Sequence, residues 1–374
     1  MITMRLKPKE DRRLLRGHLW AYRNEFIDLP DFVDGEVVDV DSDSGRFIGR
    51  GFYQSQGGIA VRILTRRQAP LDQAFMSDAI ARARAYRETV LPGETTYRWV
   101  FGESDGLPGL VADRYGDVVV VDSSCAFYEG QTSNLAHAFM AYPDVHGVLF
   151  RVCGEKERHG DVPPTITFPL NGLSFTLNLE AAQKTGMFLD QRTNCHAVEP
   201  LAPGARVLDG HCYAGLWSCH AARAGASQVL GVDTSAPAIE AARTNAEING
   251  LSNLCQFECA DIRDALNRNE RYDVVILDPP ALAKARSQTA RALGLYQAIN
   301  RDAMNAVVPG GYLITSSCSH FVDTPAFLEM LKRAAAAVRR EVWALDVRGA
   351  APDHPVLLAM PETSYLCCAV LRVL

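Results

Sequence analysis

The chain has 374 residues, of which 48% are hydrophobic and 22% carry charge. This composition is typical of folded proteins and excludes one dominated by disorder, and the length predicts two or three domains. No apolar run reaches the roughly 18 residues that a membrane span needs, and residues 1–5 lack the apolar core of a signal peptide. We therefore expect a cytoplasmic protein that is not inserted in a membrane.

Charge is distributed unevenly along the chain. The formal net charge is −6, which argues against indiscriminate binding to nucleic acids. Residues 1–67 hold 12 Lys and Arg against 10 Asp and Glu, which gives +2, and the remaining 26 basic and 34 acidic residues give −8. The N-terminal end is therefore the basic end.

The ten cysteines are scattered and show no C-x-x-C spacing. In a chain of this length, that distribution favours reduced thiols over a disulfide framework. It also predicts no structural metal site.

The N-terminal 67 residues are rich in short β-type segments. These segments are separated by turn residues and cover 35–40, 47–53 and 59–64. Alternating strands of this length favour a small β-barrel. A basic stretch that ends in proline, at 66–70, marks the end of the domain.

The same domain begins with a basic arm. Arg12, Arg13 and Arg16 recur ahead of two aromatic residues, Trp20 and Tyr22. Arginines beside exposed aromatic rings suit contacts with phosphates and stacking on bases. A solvated charged face of a helix explains the same pattern, so both interpretations stay open.

A central α/β domain is predicted over residues 71–174. It opens with an Ala/Arg-rich segment, 71–88, that predicts a helix. A turn-rich hairpin at 102–117 then leads into four consecutive valines. The acidic residues of this domain suit turns better than chemistry, and we expect it to act as a spacer.

The segment from 206 to 233 predicts a strand, a turn, a helix and a second strand. Each strand ends in an acidic residue, and the two residues, Asp209 and Asp233, are 24 positions apart. Neighbouring parallel strands bring such residues together at their tips, where a carboxylate can accept hydrogen bonds from both hydroxyls of a ribose. The alternative is that Asp233 caps the helix that begins near Pro237.

The glycines of the first turn restrict which cofactor can bind there. NAD needs the G-x-G-x-x-G fingerprint so that a pyrophosphate can approach the backbone, whereas this turn has only Gly210 and Gly215. S-adenosylmethionine (SAM) contains an adenosine and no phosphate, so it suits the turn better. A third strand ends in Asp261, and a fourth ends in Asp278-Pro279-Pro280, where proline forces an extended backbone.

On these motifs the chain resembles the class I SAM-dependent methyltransferases of the large-subunit ribosomal RNA cytosine-5 type. The resemblance covers nearly the whole chain and rests on five stretches: Asp209–Gly215, Asp278-Pro279-Pro280, Gln183–Arg192, Ser316-Ser317-Cys318-Ser319 and Asp353-His354-Pro355. It implies an α/β fold with a Rossmann-like, seven-stranded methyltransferase domain over 175–374. A PUA-like RNA-binding β-barrel over 1–67 and the central domain over 71–174, part of an RNA cleft, would precede it.

The resemblance also implies roles for individual residues. Cys318 would be the nucleophile that adds to C6 of cytosine, and Asp278 would engage N3. The residues expected to bind SAM, or its product S-adenosylhomocysteine, are Asp209, Tyr213, Gly215, Asp233, Asp261, Asp278 and Gln191. The residues expected to contact RNA are Pro279, Lys284, Arg286, Lys184 and Arg192. The implied partner is 23S ribosomal RNA or a large-subunit assembly intermediate, and the family allows a homodimer.

Two other functions stay open. An amino-group methyltransferase also uses an Asp-Pro-Pro corner and needs no thiol, but its corner ends in an aromatic residue, unlike Ala281. A non-catalytic RNA assembly factor would keep SAM as a structural ligand only.

Three positions leave details unassigned. Ala281 also stands where some related enzymes have a helper cysteine, so the base that removes the C5 proton is not identified. His211 replaces a residue that is usually aromatic in the family. Asp353 and His354 are neighbours whose side chains would point apart in a strand, and we expect a structural loop there.

Overall fold

The computed structural model describes residues 2–29, 31–182, 184–283 and 285–374, and the chain forms two compact units. The first unit comprises 1–166, 182–186 and 352–363, and the second comprises 167–181, 187–351 and 364–374. Two residues singled out by the sequence lie outside the described residues. They are Gln183, the first residue of the stretch Gln183–Arg192, and Lys284, which was predicted to contact RNA.

The first unit begins with a five-stranded sheet. Its elements are β1 (Ile2–Arg5), α1 (Asp11–Leu15), β2 (Trp20–Tyr22), β3 (Val37–Asp41), β4 (Phe47–Tyr53) and β5 (Ile59–Thr65). The strand order is β1-β3-β4-β5-β2, with β1 parallel to β3 and the other pairs antiparallel. A bridge between Leu6 and Phe26, just beyond the two edge strands, closes the sheet into the predicted small barrel.

A second five-stranded sheet follows. Its elements are α2 (Gln73–Val90), β6 (Thr96–Phe101), β7 (Leu110–Tyr115), β8 (Val118–Ser123), α3 (Thr132–Met140), β9 (Gly147–Val152) and β10 (Glu155–Gly160), and the strand order is β10-β9-β8-β7-β6. Helix α2 starts two residues later than predicted because Asp72 is its N-cap, where the carboxylate accepts a hydrogen bond from the Phe75 N–H at 3.1 Å.

The two sheets of the first unit share a hydrophobic core. Phe52 of β4 and Leu64 of β5 are buried in one cluster with Trp99 of β6. The ring of Phe52 stacks on Phe127 with centroids 4.9 Å apart. Burying a large apolar side chain stabilises a fold by roughly 1.5–3 kcal/mol, so the N-terminal barrel and the central segment depend on each other for stability.

The second unit holds the predicted seven-stranded sheet. A hairpin of β11 (Thr165–Leu170) and β12 (Leu173–Asn178) leads into it. Its elements are β13 (Arg206–Gly210), α4 (Leu216–Arg223), β14 (Gln228–Asp233), α5 (Ala236–Ile248), β15 (Cys255–Cys259), α6 (Ile262–Leu266), β16 (Tyr272–Leu277), α7 (Thr289–Ala306), β17 (Val307–Ser317), α8 (Thr324–Val338), β18 (Val342–Arg348) and β19 (Cys367–Val373).

The order of this sheet, β15-β14-β13-β16-β17-β19-β18, is Rossmann-like. The strands from β15 to β17 are parallel, and β19 runs antiparallel to both of its neighbours. From β13 the chain adds β14 and β15 on one side of the sheet, and then returns to add β16 and β17 on the other side of β13. The direction of strand addition therefore reverses between β13 and β16. In open α/β sheets, ligands bind beyond the carboxyl ends of the strands at this switch point.

Two further observations concern the helices and the cysteines of the described residues. None of the described helices has the length and apolar character needed to cross a membrane. All ten cysteines are free thiols, and Cys318 is half-buried.

Candidate active site

The carboxyl ends of β13, β14 and β16 bring three acidic residues to one edge of the sheet. Asp209 is the penultimate residue of β13, Asp233 is the last of β14, and Asp278 follows β16 directly. The N–H of Asp278 donates to the carbonyl oxygen of Gly210 at 3.2 Å, which joins β13 and β16 at the switch point. The sequence predicted this grouping correctly.

Asp209 is fully buried beneath the first turn. Its Oδ2 accepts a hydrogen bond from the Ser218 hydroxyl at 2.6 Å, and its Oδ1 is buried with no hydrogen-bond partner among the described residues. Burial disfavours the charged form and raises the pKa of Asp209 to about 7. The site therefore contains a buried carboxylate oxygen that lacks a hydrogen bond among the described residues.

The turn after β13 has a constrained backbone. His211 and Tyr213 have positive φ angles of 62° and 46°, and Gly215, which precedes helix α4, has a φ of 81°. The ring of Tyr213 contacts that of Phe188 edge-on, with centroids 5.0 Å apart. Burial lowers the pKa of His211, so this substitute for the usual aromatic residue is held in its neutral form.

Asp233 ties the turn to the second strand. Its Oδ2 accepts from the Tyr213 N–H at 3.1 Å, and its Oδ1 accepts from the Ser235 N–H at 2.8 Å. Helix α5 is capped by Ser235, whose hydroxyl accepts from the Ala238 N–H, so the alternative that Asp233 caps this helix is wrong. Each carboxylate oxygen has two lone pairs, and the half-buried Asp233 can therefore accept further hydrogen bonds.

Asp261 lies two residues beyond β15, as the N-cap of α6. Its carboxylate accepts from the Arg263 N–H at 2.9 Å and forms an ion pair with the guanidinium of the same residue at 2.9 Å. These hydrogen bonds with Arg263 lower the pKa of Asp261 to about 2. Asp261 is thus a fixed, ionised acceptor.

Asp278 is held by hydrogen bonds to both of its oxygens. Gln191 Nε2 donates to Oδ1 at 2.8 Å, and Trp217 Nε1 donates to Oδ2 at 3.4 Å. Burial, followed by the nearby negative charge of Asp190, raises the pKa of Asp278 to about 7. A carboxyl group with this pKa is divided between its acid and base forms at neutral pH.

Gln191 belongs to the site as a positioning residue. Besides holding Asp278, its Nε2 donates to the Ser316 hydroxyl at 3.0 Å, and its Oε1 accepts from Asn194 at 2.7 Å. Sequence reasoning missed Trp217, Asn194 and the role of Ser316. The motif Ser316-Ser317-Cys318-Ser319 was a signal for Ser316. Asn194 and Trp217 each lie two residues beyond a motif, at the ends of Gln183–Arg192 and Asp209–Gly215, and had no signal of their own.

Cys318 lies against the corner formed by Asp278-Pro279-Pro280. Its Sγ is 3.6 Å from the carbonyl oxygen of Pro279, which accepts from the thiol. The hydroxyl of Ser319 accepts from the N–H groups of Leu282 and Ala283 at 2.9 and 3.2 Å. The two residues that follow β17 therefore fix both sides of the corner.

The side chains predicted to contact RNA differ in exposure. Arg286 is exposed, whereas Pro279 is buried and Arg192 is only 2% exposed. Burial of Arg192 favours a role inside the second unit over the predicted contact with phosphates. Lys184 belongs to the first unit, where its carbonyl oxygen accepts from Arg151.

One His–Glu–His group has the spacing of a metal site. Ligand atoms of His196, Glu199 and His220 all lie within 4.8 Å of one another. The guanidinium of Arg223 donates to Glu199 Oε1 at 2.7 Å, and His220 Nδ1 lies 2.8 Å from the same oxygen. The carboxylate is thus already satisfied, and the group is consistent with a structural network.

Two family models match the chain. One, described as a PUA-like domain, matches residues 4–66. The other, described as an S-adenosylmethionine-dependent methyltransferase, matches residues 155–354, which are 200 of the 374 residues. The chain belongs to the S-adenosylmethionine-dependent methyltransferase family. SAM is therefore the cofactor of this methyltransferase.

Curated relatives match the methyltransferase over its length. The protein called ribosomal RNA large subunit methyltransferase I from Shewanella denitrificans is 34% identical, over 100% of this chain and 99% of that protein. The protein of the same name from Photobacterium profundum is 35% identical, over 95% of each.

Solved structures match the fold of the methyltransferase. A proposed SAM-dependent methyltransferase from Streptococcus mutans has a TM-score of 0.87 and 21% identity, with 100% of both chains covered. A second proposed methyltransferase, complexed with S-adenosylhomocysteine, has a TM-score of 0.89 and 22% identity, also with 100% of both chains covered. The predicted fold class, with a PUA-like domain ahead of a Rossmann-like methyltransferase domain, is confirmed.

Proposed function

We propose that this methyltransferase makes 5-methylcytosine in 23S ribosomal RNA through a covalent bond between Cys318 and C6 of the cytosine. Relatives at 34% and 35% identity are called ribosomal RNA large subunit methyltransferase I, which supports large-subunit RNA as the substrate. Because ribosomal RNA is assembled in the cytoplasm, we also propose a cytoplasmic enzyme. The homodimer remains a prediction, and sedimentation of the full chain would test it.

The switch-point edge suits SAM. The buried Oδ1 of Asp209 lacks a hydrogen-bond partner among residues that the structure describes, and SAM carries a sulfonium and an ammonium group that would stabilise the ionised form. Asp233, at the tip of the second strand, would accept from the ribose hydroxyls. Tyr213 and Gly215 would line the cofactor through the turn, and Asp261 would contact the adenine.

The chemistry at C5 needs an electron-rich ring. Bound SAM supplies an electrophilic methyl group, but C5 of cytosine is a weak nucleophile. Attack of the Cys318 thiolate on C6 forms the C6–S bond and moves the electrons of the C5–C6 double bond to C5. After C5 is methylated, loss of the C5 proton restores the double bond as the C6–S bond breaks and the thiolate leaves.

Asp278 would support this addition at N3. A carboxyl group whose pKa is about 7 is partly protonated at neutral pH, so it can donate a hydrogen bond to N3 as negative charge develops in the ring. Gln191 and Trp217 would keep both oxygens of Asp278 in position. Gln191 therefore serves as a positioning residue in this proposal.

The observation that carries the proposal is the contact between the Cys318 thiol and the Pro279 carbonyl, at 3.6 Å. It brings a thiol to the same corner as the carboxyl that would engage N3. An amino-group methyltransferase would not need a thiol there. In this proposal the target base is flipped out of its stack to reach the half-buried thiol.

Mechanism-based trapping tests the proposal. RNA that carries 5-fluorocytosine at the target position should form a denaturation-resistant adduct with the wild type, because fluorine cannot leave C5 as a proton does. Cys318→Ala should form no adduct and transfer no methyl groups, while its affinity for SAM stays within about twofold of the wild type. Cys153→Ala, which removes an exposed thiol in the first unit, is the matched control and should behave as the wild type.

Other outcomes would select the alternatives. An active Cys318→Ala enzyme that yields a methylated exocyclic amine, identified by mass spectrometry of nucleosides, would establish the amino-group reaction. A Cys318→Ala protein that is inactive in methyl transfer but restores full ribosome assembly in cells would favour the non-catalytic assembly factor.

A further inference from the structure

Two motifs that the active site does not use meet in the first unit. The hairpin segment 102–117 and the turn Asp353-His354-Pro355 are far apart in sequence, and both pack against helix α2. The guanidinium of the fully buried Arg87 donates to the Asp105 carboxylate at 2.5 and 2.8 Å, and also to the carbonyl oxygen of Asp353 at 2.7 Å. One helix side chain therefore fixes both motifs.

The turn at Asp353 is itself rigidly held. Its Oδ2 accepts from the N–H of Arg98 at 2.9 Å, and its Oδ1 lies 2.9 Å from His354 Nδ1. The segment is a turn, so the two side chains are not forced to opposite faces as they would be in a strand. The expected structural role is thus consistent with the contacts, and the hydrogen bonds of Arg87, Arg98 and His354 hold the turn in place as a support for the surface above it.

A pocket of about 380 Å³ opens beside this network. Its lining includes Arg82, Tyr86, Ser104, Asp105, Gly106 and Pro355. All of these residues belong to the first unit. The volume is at the small end of the range for ligand pockets, which suits a single nucleotide better than a large cofactor.

The walls combine a cation, an aromatic ring and an unpaired hydroxyl. Arg82 is exposed. Tyr86 is 38% exposed, and its hydroxyl donates a hydrogen bond to the Pro352 carbonyl oxygen at 3.0 Å. The Oγ of Ser104 is buried and has no hydrogen-bond partner among the described residues. Leaving a buried polar atom unpaired costs about 1–3 kcal/mol, so a ligand that bonds to this hydroxyl would offset that cost.

The glycine in the lining keeps the pocket open. Gly106 has a φ of +76°, and a Cβ at this position would meet no atom within 4 Å. A larger residue would be strained by its backbone and would project into open space. Glycine here therefore satisfies the turn and also leaves room for a ligand.

We propose that this pocket binds one unpaired nucleotide of the substrate RNA, outside the cytosine that is methylated. The base packs against Tyr86 and Pro355, the Ser104 hydroxyl bonds to a polar edge of the base, and Arg82 contacts the adjoining phosphate. Proteins bind single-stranded RNA by this combination of stacking and basic contact. The inference rests on the proposed function for the nature of its ligand.

Binding measurements on the full chain test the proposal. The probes are a fluorescein-labelled, mixed-sequence single-stranded RNA of about 12 nucleotides, the same RNA as a duplex, and free cytidine monophosphate. Tyr86→Leu should weaken binding to the single strand about tenfold, because the stacking surface is lost, without changing the salt dependence. Tyr86→Phe, which keeps the ring and loses only the hydroxyl, should bind as the wild type.

Arg82 has a separate signature. Arg82→Gln should lower the slope of log K against log salt concentration by about 0.7, the value for one phosphate contact on a single strand. Arg333→Gln, which removes an exposed arginine of α8, is the charge-matched control and should leave the slope unchanged. Thermal denaturation of each variant checks that the fold is intact.

The results that would overturn the proposal are specific. They are wild-type affinity in both Tyr86→Leu and Arg82→Gln, an equal loss in Tyr86→Phe and Tyr86→Leu, or binding of free cytidine monophosphate as tightly as the oligonucleotide. If 5-fluorocytosine trapping succeeds but these variants bind RNA normally, the pocket proposal fails alone. If trapping fails but Tyr86→Leu and Arg82→Gln still weaken RNA binding as expected, only the proposed chemistry fails.

Discussion

At the scale of single residues, Asp209 links stability to cofactor binding. The pKa of Asp209 is about 7 in the folded protein and about 3.9 in an unfolded chain, so between these values the folded state holds a proton that the unfolded state has released. Stability therefore falls as the pH rises from about 4 to 7. We expect Asp209→Asn to raise the Tm at pH 8 by at least about 2 °C, with little change at pH 4, as measured by calorimetry.

The same substitution should weaken the binding of SAM. Because ionised Asp209 favours a cationic ligand, wild-type affinity should increase between pH 6 and 8, and Asp209→Asn should bind less tightly and show a flatter pH dependence. Asp278, whose pKa is also about 7, would contribute the remaining dependence. The exposed Asp43→Asn serves as the control. An unchanged pH profile in Asp209→Asn would remove this residue from the cofactor site.

At the scale of elements, the segment that follows β17 holds the loop that follows β16. The Ser319 hydroxyl accepts from two backbone N–H groups of that loop, and leaving such buried donors unpaired costs about 1–3 kcal/mol. Ser319→Ala should therefore release the corner beside Cys318. We expect its kcat for methyl transfer to fall about tenfold, while its Kd for SAM stays within about twofold.

A conservative variant separates positioning from a general loss of stability. Ser319→Thr keeps the acceptor oxygen and should recover most of the kcat. Ser287→Ala, at an exposed position in the same loop, should have no effect. If the kcat of Ser319→Ala equals that of the wild type, other contacts hold the corner and the role given to Ser319 is wrong.

At the scale of the whole molecule, the basic side chains of the N-terminal end fall into two groups, those held in ion pairs and those exposed to solvent. Arg13, Arg50 and Arg62 form ion pairs with Glu25, Asp39 and Glu103, whereas Lys9, Arg12 and Arg16 are exposed. Replacing the three exposed residues with Gln should lower the salt slope of RNA binding by up to about 2, because each phosphate contact on a single strand contributes about 0.7. The kcat at saturating RNA should not change.

The full chain is the appropriate form for this measurement. Removing residues 1–67 would take Phe52 and Leu64 out of a core that they share with Trp99, so a truncated protein would lose stability together with its charges. Gln substitutions at Arg243, Lys332 and Arg333, which are exposed in the second unit, provide a control of equal charge. An equal fall in slope for both triple variants would mean that the basic arm is only a solvated surface.

The sequence by itself determined the repeated pattern of the second unit. Apolar runs that end in Asp209, Asp233 and Asp278 are local signals, because strand burial, turn chemistry and the restriction imposed by proline each depend on a few neighbouring residues. Parallel strands then bring their carboxyl ends to one edge, so the grouping of these acids followed from the pattern. The small barrel at the N-terminus was predictable for the same reason.

Only the tertiary structure decided which distant residues support that edge. The prediction that Gln191 binds the cofactor did not include its hydrogen bond to Asp278, 87 positions later. In the same way, Arg87 joins Asp105 to the Asp353 turn, 266 positions away. The sequence pattern also did not predict that β19 lies between β17 and β18. Such pairings form only when the chain closes, because long-range contacts depend on the relative positions of whole elements, and a sequence window contains no record of those positions.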